Sequence, residues 1–349
     1  MEDLTPIYLT MSHEIMLSEM DLFKKIQFQG SIENSQIIQF RPISSINDAT
    51  TIEFDIPIAS DEYLDLQNIF ICIKGKVVKQ DNTNYLAAED DRYGLINYAV
   101  NTIFDQLAIY LNGTLVSQSS KTHHYMSMIQ ALTEYNVMDA IKSLAPGGFA
   151  RSYEDDNFDH SAIHPVLFNI VRRSKNFTLF GKLHGDIFKI DRLMMNGITL
   201  HLALSRAPNT FVLRGSEAIA AVPAVGDVPA VAAQPAAEPK LDLRDCCIFA
   251  RKVKPSPNLL TAHAKVLHNN KAIYPFKRTN IKVLNLPANQ NAFTLDNIYM
   301  NQMPCKLILG LVSNDAFSGS YTTNPFEFKN NNLSFLAVYL NGEMFPKTP

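Results

Sequence analysis

The sequence contains the same unusual phrase twice. Residues 107–113 read LAIYLNG and residues 336–342 read LAVYLNG, an offset of 229 residues in a chain of 349. Two further pairs of blocks keep nearly the same spacing and order: FDIP at 54–57 with LNLP at 284–287, and NIF at 68–70 with NIY at 297–299. The three blocks occur in the same order, and their offsets are either 229 or 230 residues. This indicates two copies of one structural unit.

The repeated phrase predicts a β-hairpin. Asn112 and Gly113 lie between two apolar runs, and an Asn-Gly pair favours the type I′ turn of two-residue hairpins. Strands are predicted where apolar residues alternate with polar ones or form short runs bounded by turn residues. The predicted strands are 52–58, 68–78, 104–116, 177–183, 198–204, 247–253, 281–286, 306–312 and 333–340. Pro57 cannot donate to a ladder and is expected at a strand end or an edge.

Helices are predicted at two places only. Apolar residues at i, i+3, i+4 and i+7 predict an amphipathic helix within 121–136. A second helix is expected at 258–268, after Pro257 and before Asn269. Many short strands, few helices and long loops predict an all-β sandwich or jelly roll.

The composition is that of a packed globular protein, with 46% hydrophobic and 19% charged residues. A net charge of −3 gives no general attraction to nucleic acid or to anionic membrane. The first 25 residues lack a continuous apolar core, and the nearest candidate for a membrane span, 218–239, contains four prolines and Asp227. We therefore expect synthesis inside the cell, no membrane insertion, and buried or inert thiols at all four cysteines, which are Cys72, Cys246, Cys247 and Cys305.

Three long stretches resemble one known family. They are FGKLHGDIFKIDRLMMNG at 180–197, FARKVKPSPNLLTAHAKVL at 249–267 and GLVSNDAFSGSYTTNPFEFKNNNLSFLAVYLNG at 310–342. They resemble the double jelly-roll major capsid (hexon) proteins of adintoviruses and of related Maverick/Polinton-type elements. The resemblance implies two jelly rolls in a chain, trimers with a pseudo-sixfold outline, and tiling into an icosahedral shell. An Ala/Pro-rich insert at 216–240 departs from the family pattern.

The repeat and the resemblance together predict a tandem jelly roll whose second roll is incomplete. We expect an N-terminal arm at 1–40, a first roll at 41–256 containing the 216–240 loop, a connector helix at 257–270, and a partial second roll at 271–349. FARKVKP at 249–255 should be the closing strand of the first roll, and Ile281 should begin the core of the second. Only seven residues follow the second YLNG, so we expect a truncated or fragmentary gene product.

No motif in the sequence predicts catalysis, a cofactor or a metal site. The nine histidines include no H-x-H pair, which a cupin-type metal site needs; they are His13, His123, His124, His160, His164, His184, His201, His263 and His268. Asp155, Asn157 and Asp159 have the spacing of calcium ligands, but His160 and Val166 stand where an EF-hand loop needs Gly and Glu. The sequence therefore predicts a protein that is not an enzyme.

The predicted function is that of a structural capsid subunit in the virion. Its expected partners are two further copies in a homotrimer, neighbouring capsomers, and penton or minor capsid proteins, after synthesis in the host cytoplasm and with assembly there or in the nucleus. There are three basic clusters, at 172–175, 251–254 and 277–278. We interpret them as ordinary solvent-exposed charge; the alternative interpretation is weak contact with packaged DNA. Two alternatives stay open: a β-sandwich module that binds carbohydrate or a receptor, and a non-assembling endogenous viral remnant.

Overall fold

The computed structural model describes residues 29–46, 49–85, 93–117, 120–150, 165–215, 238–287, 292–296, 298, 304–340 and 342–345. Most of the secondary structure in these ranges is β-strand. The strands are β1 (Ile32–Phe40), β2 (Thr51–Pro57), β3 (Tyr63–Val78), β4 (Tyr93–Leu95), β5 (Phe104–Leu111), β6 (Thr114–Leu115), β7 (Phe177–Lys182), β8 (Thr199–Arg206), β9 (Leu213–Gly215), β10 (Lys240–Pro255), β11 (Val338–Leu340) and β12 (Glu343–Phe345). The helices are α1 (Ala99–Thr102), α2 (His123–Glu134), α3 (Val137–Leu144), α4 (Pro165–Val171), α5 (Asn209–Val212), α6 (Pro257–Asn269) and α7 (Asn314–Ser318).

Eight of these strands form two four-stranded antiparallel sheets. The first sheet has the order β1-β10-β3-β7 and the second has the order β2-β8-β5-β6. In both sheets a late strand lies between two early ones, which is the Greek-key pattern of a jelly roll. The expected all-β fold with a few short helices is confirmed.

The alternation that predicted β2 also determines what it buries. Ile52, Phe54 and Ile56 are buried in the core between the sheets, whereas the side chains between them face outward. Burial of one such side chain contributes about 1.5–3 kcal/mol. Pro57 is the last residue of β2, and β2 is an edge strand, as predicted from its missing donor.

Residues 32–40, which the sequence placed in an N-terminal arm, form a strand of the first roll instead. β1 pairs with β10 from Ile32↔Pro255 to Phe40↔Ile248. Its sequence, IENSQIIQF, has little apolar alternation, and most of its side chains are not buried. Phe40 packs against the core. The ladder to β10, more than burial, therefore explains why these residues form a strand.

The two copies of the repeated phrase form the same hairpin. β5 and β6 pair through Tyr110↔Leu115 and Leu111↔Thr114. β11 and β12 pair through Tyr339↔Met344 and Leu340↔Glu343, the same register after the offset of the repeat. Gly113 and Gly342 have φ values of 80° and 87°, in the left-handed region that type I′ turns require. The two phrases are therefore equivalent in structure as well as in sequence.

Asn112 provides a test of the first hairpin. Its φ is 47°, and its Oδ1 accepts a hydrogen bond from the backbone N–H of Thr199 at 2.8 Å, which ties the turn to β8. Asn112→Ala is expected to lower the free energy of unfolding by about 1–3 kcal/mol, because it loses that acceptor and strains a left-handed residue. Urea denaturation measures the change. Asn112→Asp keeps both properties and should stay close to wild type; an equal loss in both variants would contradict this account.

The helices match the sequence in part. α2 lies within the predicted range 121–136, and α6 coincides with the expected connector helix. α3 was not predicted; Asn136 starts it, and its side chain accepts from the backbone N–H of Asp139 at 2.9 Å. No described helix has the length and apolarity that a membrane span needs.

The C-terminal segment, defined as the described residues between 271 and 345, differs most from expectation. The strands predicted at 281–286 and 306–312 form no ladder among the described residues, and only Val338–Leu340 of the predicted 333–340 does. A strand needs a hydrogen-bonded neighbour, and in the first roll the equivalent strands β2 and β5 obtain theirs from β8. The described part of the segment does not supply a counterpart of β8.

Candidate functional site

Helix α2 carries a buried polar cluster that the sequence did not reveal. The helix covers β5, and its buried face includes His123, His124 and Gln130. His184, which follows β7, lies against the same face. Both histidines are buried because α2 packs against α1 as well as against β5.

His184 is fully integrated in a hydrogen-bond network. Its Nδ1 lies 3.0 Å from Gln130 Oε1 and its Nε2 lies 2.7 Å from the hydroxyl of Tyr98. Burial keeps the ring neutral, so one ring nitrogen donates a hydrogen bond and the other accepts one. Burial lowers the pKa of His184 to about 3, with smaller contributions from Lys189 and Lys182.

His123 and His124 are also held neutral. Burial lowers the pKa of His123 to about 3, and the neighbouring His184 contributes less. Burial lowers the pKa of His124 to about 4. The His123 Nε2 lies 3.3 Å from the hydroxyl of Ser127. Three neutral imidazoles on one helix–sheet contact make this region sensitive to acid.

An aromatic cluster joins this region to the C-terminal segment. The Tyr125 ring lies 5.8 Å from Phe211 and stacks on Phe317 at 5.6 Å between ring centroids. Phe326 contacts both Tyr125 and Phe211 edge to face, at 5.6 and 5.9 Å. The His124 ring lies 4.3 Å from Phe211. We name Tyr125, Phe211, Phe317 and Phe326 the aromatic junction, because it connects the first roll to α7 and the residues that follow it.

A small cavity with a mixed polar and apolar lining lies at the N-terminal end of α2. Its volume is about 40 Å³ and its lining includes His123, Asp186, Ser117 and Thr279. Asp186 Oδ2 accepts from the Thr279 backbone N–H at 2.8 Å. A space of this size holds about one or two water molecules and is far below the several hundred Å³ of ordinary ligand pockets. The cavity is too small for a substrate.

The remaining described histidines are separate from one another. His201 Nδ1 lies 2.6 Å from Asp55 Oδ1, and His263 Nδ1 lies 2.8 Å from the hydroxyl of Tyr63. His268 lies on the exposed helix α6. The described ranges contain no group of three or more His, Cys, Asp or Glu side chains that could hold a metal ion. His13, His160, His164 and the possible calcium ligands Asp155, Asn157 and Asp159 lie outside the described residues, as does most of the 216–240 insert.

The basic cluster at 251–254 is neutralised by acidic partners. Arg251 donates to Asp65 at 3.1 Å, Lys252 to Glu62 at 2.8 Å, and Lys254 pairs with Asp61 at 3.2 Å. Cations already paired with carboxylates are poor candidates for phosphate contact, because binding would leave the acids uncompensated. In the 277–278 cluster, Arg278 donates to the carbonyl oxygen of Val116 at 3.2 Å.

Equivalent positions of the repeat differ sharply in burial. Ile56 of β2 is 0% exposed, whereas its counterpart Leu286 is 53% exposed. Leu107 of β5 is 5% exposed and its counterpart Leu336 is 52% exposed. Other large apolar side chains of the segment are also exposed, namely Val283, Leu284, Leu307, Ile308, Leu309, Leu333, Phe335, Val338 and Tyr339. These side chains are of the apolar types that usually fill a core, but they are not buried.

Comparisons with known proteins give only distant matches. No family model matches the chain. An uncharacterised protein of Caenorhabditis elegans is 19% identical over 309 residues, which is 85% of this chain and 67% of that protein. Among solved structures, a chain of the Sputnik virophage has a TM-score of 0.40 at 13% identity, covering 70% of this chain and 53% of that one.

Two further structures are similar to the same extent. The mavirus major capsid protein has a TM-score of 0.37 at 14% identity, covering 72% of this chain and 52% of that chain. The Faustovirus major capsid protein has a TM-score of 0.40 at 8% identity, covering 73% and 59%. The chain thus spans about half the length of these three solved chains. The jelly-roll assignment rests on the strand order and register of the chain itself.

Proposed function

We propose that this chain is a structural subunit of a viral capsid, of the double jelly-roll type found in adintoviruses and Maverick/Polinton elements. The observation that carries the proposal is a jelly roll followed, through an exposed helix, by a sequence repeat of its own early strands. In this role the chain trimerises, tiles into an icosahedral shell and performs no catalysis. Its second unit corresponds to part of a second roll.

The exposed apolar side chains of the C-terminal segment support an assembly role. Soluble monomers rarely leave extensive apolar surface uncovered, and such surface usually marks contact with another polypeptide. Leu286 and Leu336 are more than half exposed, although their counterparts in the first roll are core residues. Burial of the remaining exposed half of such a side chain on association would supply about 1 kcal/mol before the cost of association.

The remaining partners follow from the same role. We propose two further copies in a homotrimer, neighbouring capsomers, and penton or minor capsid proteins, with synthesis in the host cytoplasm and assembly there or in the nucleus. Any weak contact with packaged DNA involves cations other than Arg251, Lys252 and Lys254, because those three are paired with acids.

Light scattering after size-exclusion chromatography tests the proposal. The full chain is expected to elute at three times its mass of 39.1 kDa. The double variant Leu286→Glu and Leu336→Glu should shift the population towards one copy, because it places charge in the contact. Lys306→Glu, an exposed polar position of the same segment, is the control and should leave the trimer intact. A wild-type monomer that binds a glycan or a receptor would replace the capsid proposal with the binding-module alternative.

A further inference from the structure

Two cysteines face each other across the central ladder of the first sheet. Cys72 of β3 and Cys247 of β10 are register partners, so their side chains leave the sheet on the same face. Cys72 is 8% exposed and Cys247 is 2% exposed. Burial, and to a smaller extent the neighbouring Cys247, raises the pKa of the Cys72 thiol.

This placement suits a disulfide. Residues directly opposite in an antiparallel pair have Cα atoms about 4.5–5.5 Å apart, within the range of roughly 4.4–6.8 Å that disulfides span. The adjacent Cys246 does not compete, because its side chain belongs to the core on the other face. Cys305 is exposed and lies in the C-terminal segment, whereas the other three cysteines are buried.

The surroundings limit which oxidant can reach the pair. Phe180 is the register partner of Cys72 on β7, and Phe70 pairs with Phe249 two residues along the ladder. The Phe180 ring lies 5.3 Å from Phe70 and 6.0 Å from Phe249. These rings border the thiols and favour an oxidant of about the size of water over a bulky disulfide reagent.

We propose that Cys72 and Cys247 form an oxidation site that closes into a cross-strand disulfide and locks β3 to β10. With hydrogen peroxide as oxidant, the Cys72 thiolate attacks one peroxide oxygen, the O–O bond breaks, and protonation of the departing hydroxide gives water and a sulfenic acid. The Cys247 thiolate then attacks Cys72 Sγ and expels hydroxide, which takes up the second thiol proton to give a second water. Two thiols and one peroxide thus become one disulfide and two waters.

The site has a direct consequence for a chain made inside a cell. The pair stays reduced in the cytosol and becomes oxidised in an oxidising medium. The bond would link two strands that are far apart in sequence, so it restricts the unfolded chain strongly. This inference does not depend on the capsid proposal, because the first roll contains both cysteines whatever the chain assembles with.

Mass spectrometry of the full chain carrying Cys305→Ser tests the site. After peroxide treatment, denaturation and alkylation with N-ethylmaleimide, we expect one labelled cysteine, Cys246, in place of three, and a thiol reductant should restore all three. The thermal midpoint of the oxidised chain should rise by about 5–10 °C.

Single substitutions test whether Cys72 and Cys247 are the two cysteines that form the bond. Cys72→Ser and Cys247→Ser should each abolish both the protection from alkylation and the thermal shift, whereas Cys246→Ala should keep both. Peptide mapping identifies the bonded pair. Three labelled cysteines after oxidation, a bond to Cys246, or a dimer joined through Cys72 or Cys247 on a non-reducing gel would each overturn the proposal.

Discussion

Acidification from about pH 7.5 to about pH 5 is expected to lower the free energy of unfolding by on the order of 6 kcal/mol. The folded chain holds the pKa of His123 and His184 at about 3 and that of His124 at about 4, against about 6.5 in the unfolded chain. The unfolded state therefore binds more protons below pH ~6.5. Stability is fully present above that pH and is lost as the pH falls towards the folded values, at about 2 kcal/mol per histidine by pH ~5.

Urea denaturation at both pH values measures this loss. A triple variant, His123→Asn, His124→Phe and His184→Gln, removes the titrating groups and should reduce the difference between the two pH values several-fold. His268→Gln on the exposed helix α6 is the matched control and should retain the wild-type difference. Equal stability of the wild-type chain at both pH values would show that these imidazoles are not neutral and buried.

Phe211→Ala is expected to cost about 3–5 kcal/mol of unfolding free energy and to loosen the C-terminal segment. Phe211 is 3% exposed, and its ring contacts Tyr125 and Phe326 of the aromatic junction. Its removal leaves a cavity at the point where the first roll meets residues 313–328. Urea denaturation gives the energy, and limited proteolysis with peptide mapping gives the location of the loosened chain.

Phe180→Ala provides the comparison for this substitution. Phe180 is 40% exposed on the outer face of β7, so its loss should cost less than half as much and leave the proteolysis pattern unchanged. Faster cleavage within the C-terminal segment for Phe211→Ala alone indicates that the junction holds it. The same cleavage rate in both variants would refute a special role for the junction.

The first roll was largely predictable because its core strands carry local signals. β2 alternates strictly, and Asn112-Gly113 marks the turn of a hairpin. β1 was missed because its residues are mostly polar and its partner β10 lies more than two hundred residues further along the chain. Pairing between distant strands leaves little trace in either strand read alone.

The buried histidine cluster was not predictable for a similar reason. His123 lies in α2 and His184 follows β7, with α3 and α4 between them in the chain. The spacing rules for metal sites say nothing about neutral imidazoles in a helix–sheet contact.

The C-terminal segment shows the opposite case, in which a strand is predicted locally but the described residues form no ladder there. Residues 281–286 are mostly apolar and were predicted as a strand, but a ladder depends on a neighbour as well as on its own sequence.

The position of β10 between β1 and β3 determines when the first sheet can form. β3 ends at Val78 and β10 begins at Lys240, and at about 5–20 residues per second a ribosome needs roughly ten to thirty seconds to synthesise the chain between them. Throughout that time β1 and β3 have no central partner, and their apolar side chains are exposed to other nascent chains and to chaperones. Synthesis of Pro255, more than any local folding step, sets the earliest time at which the roll can close.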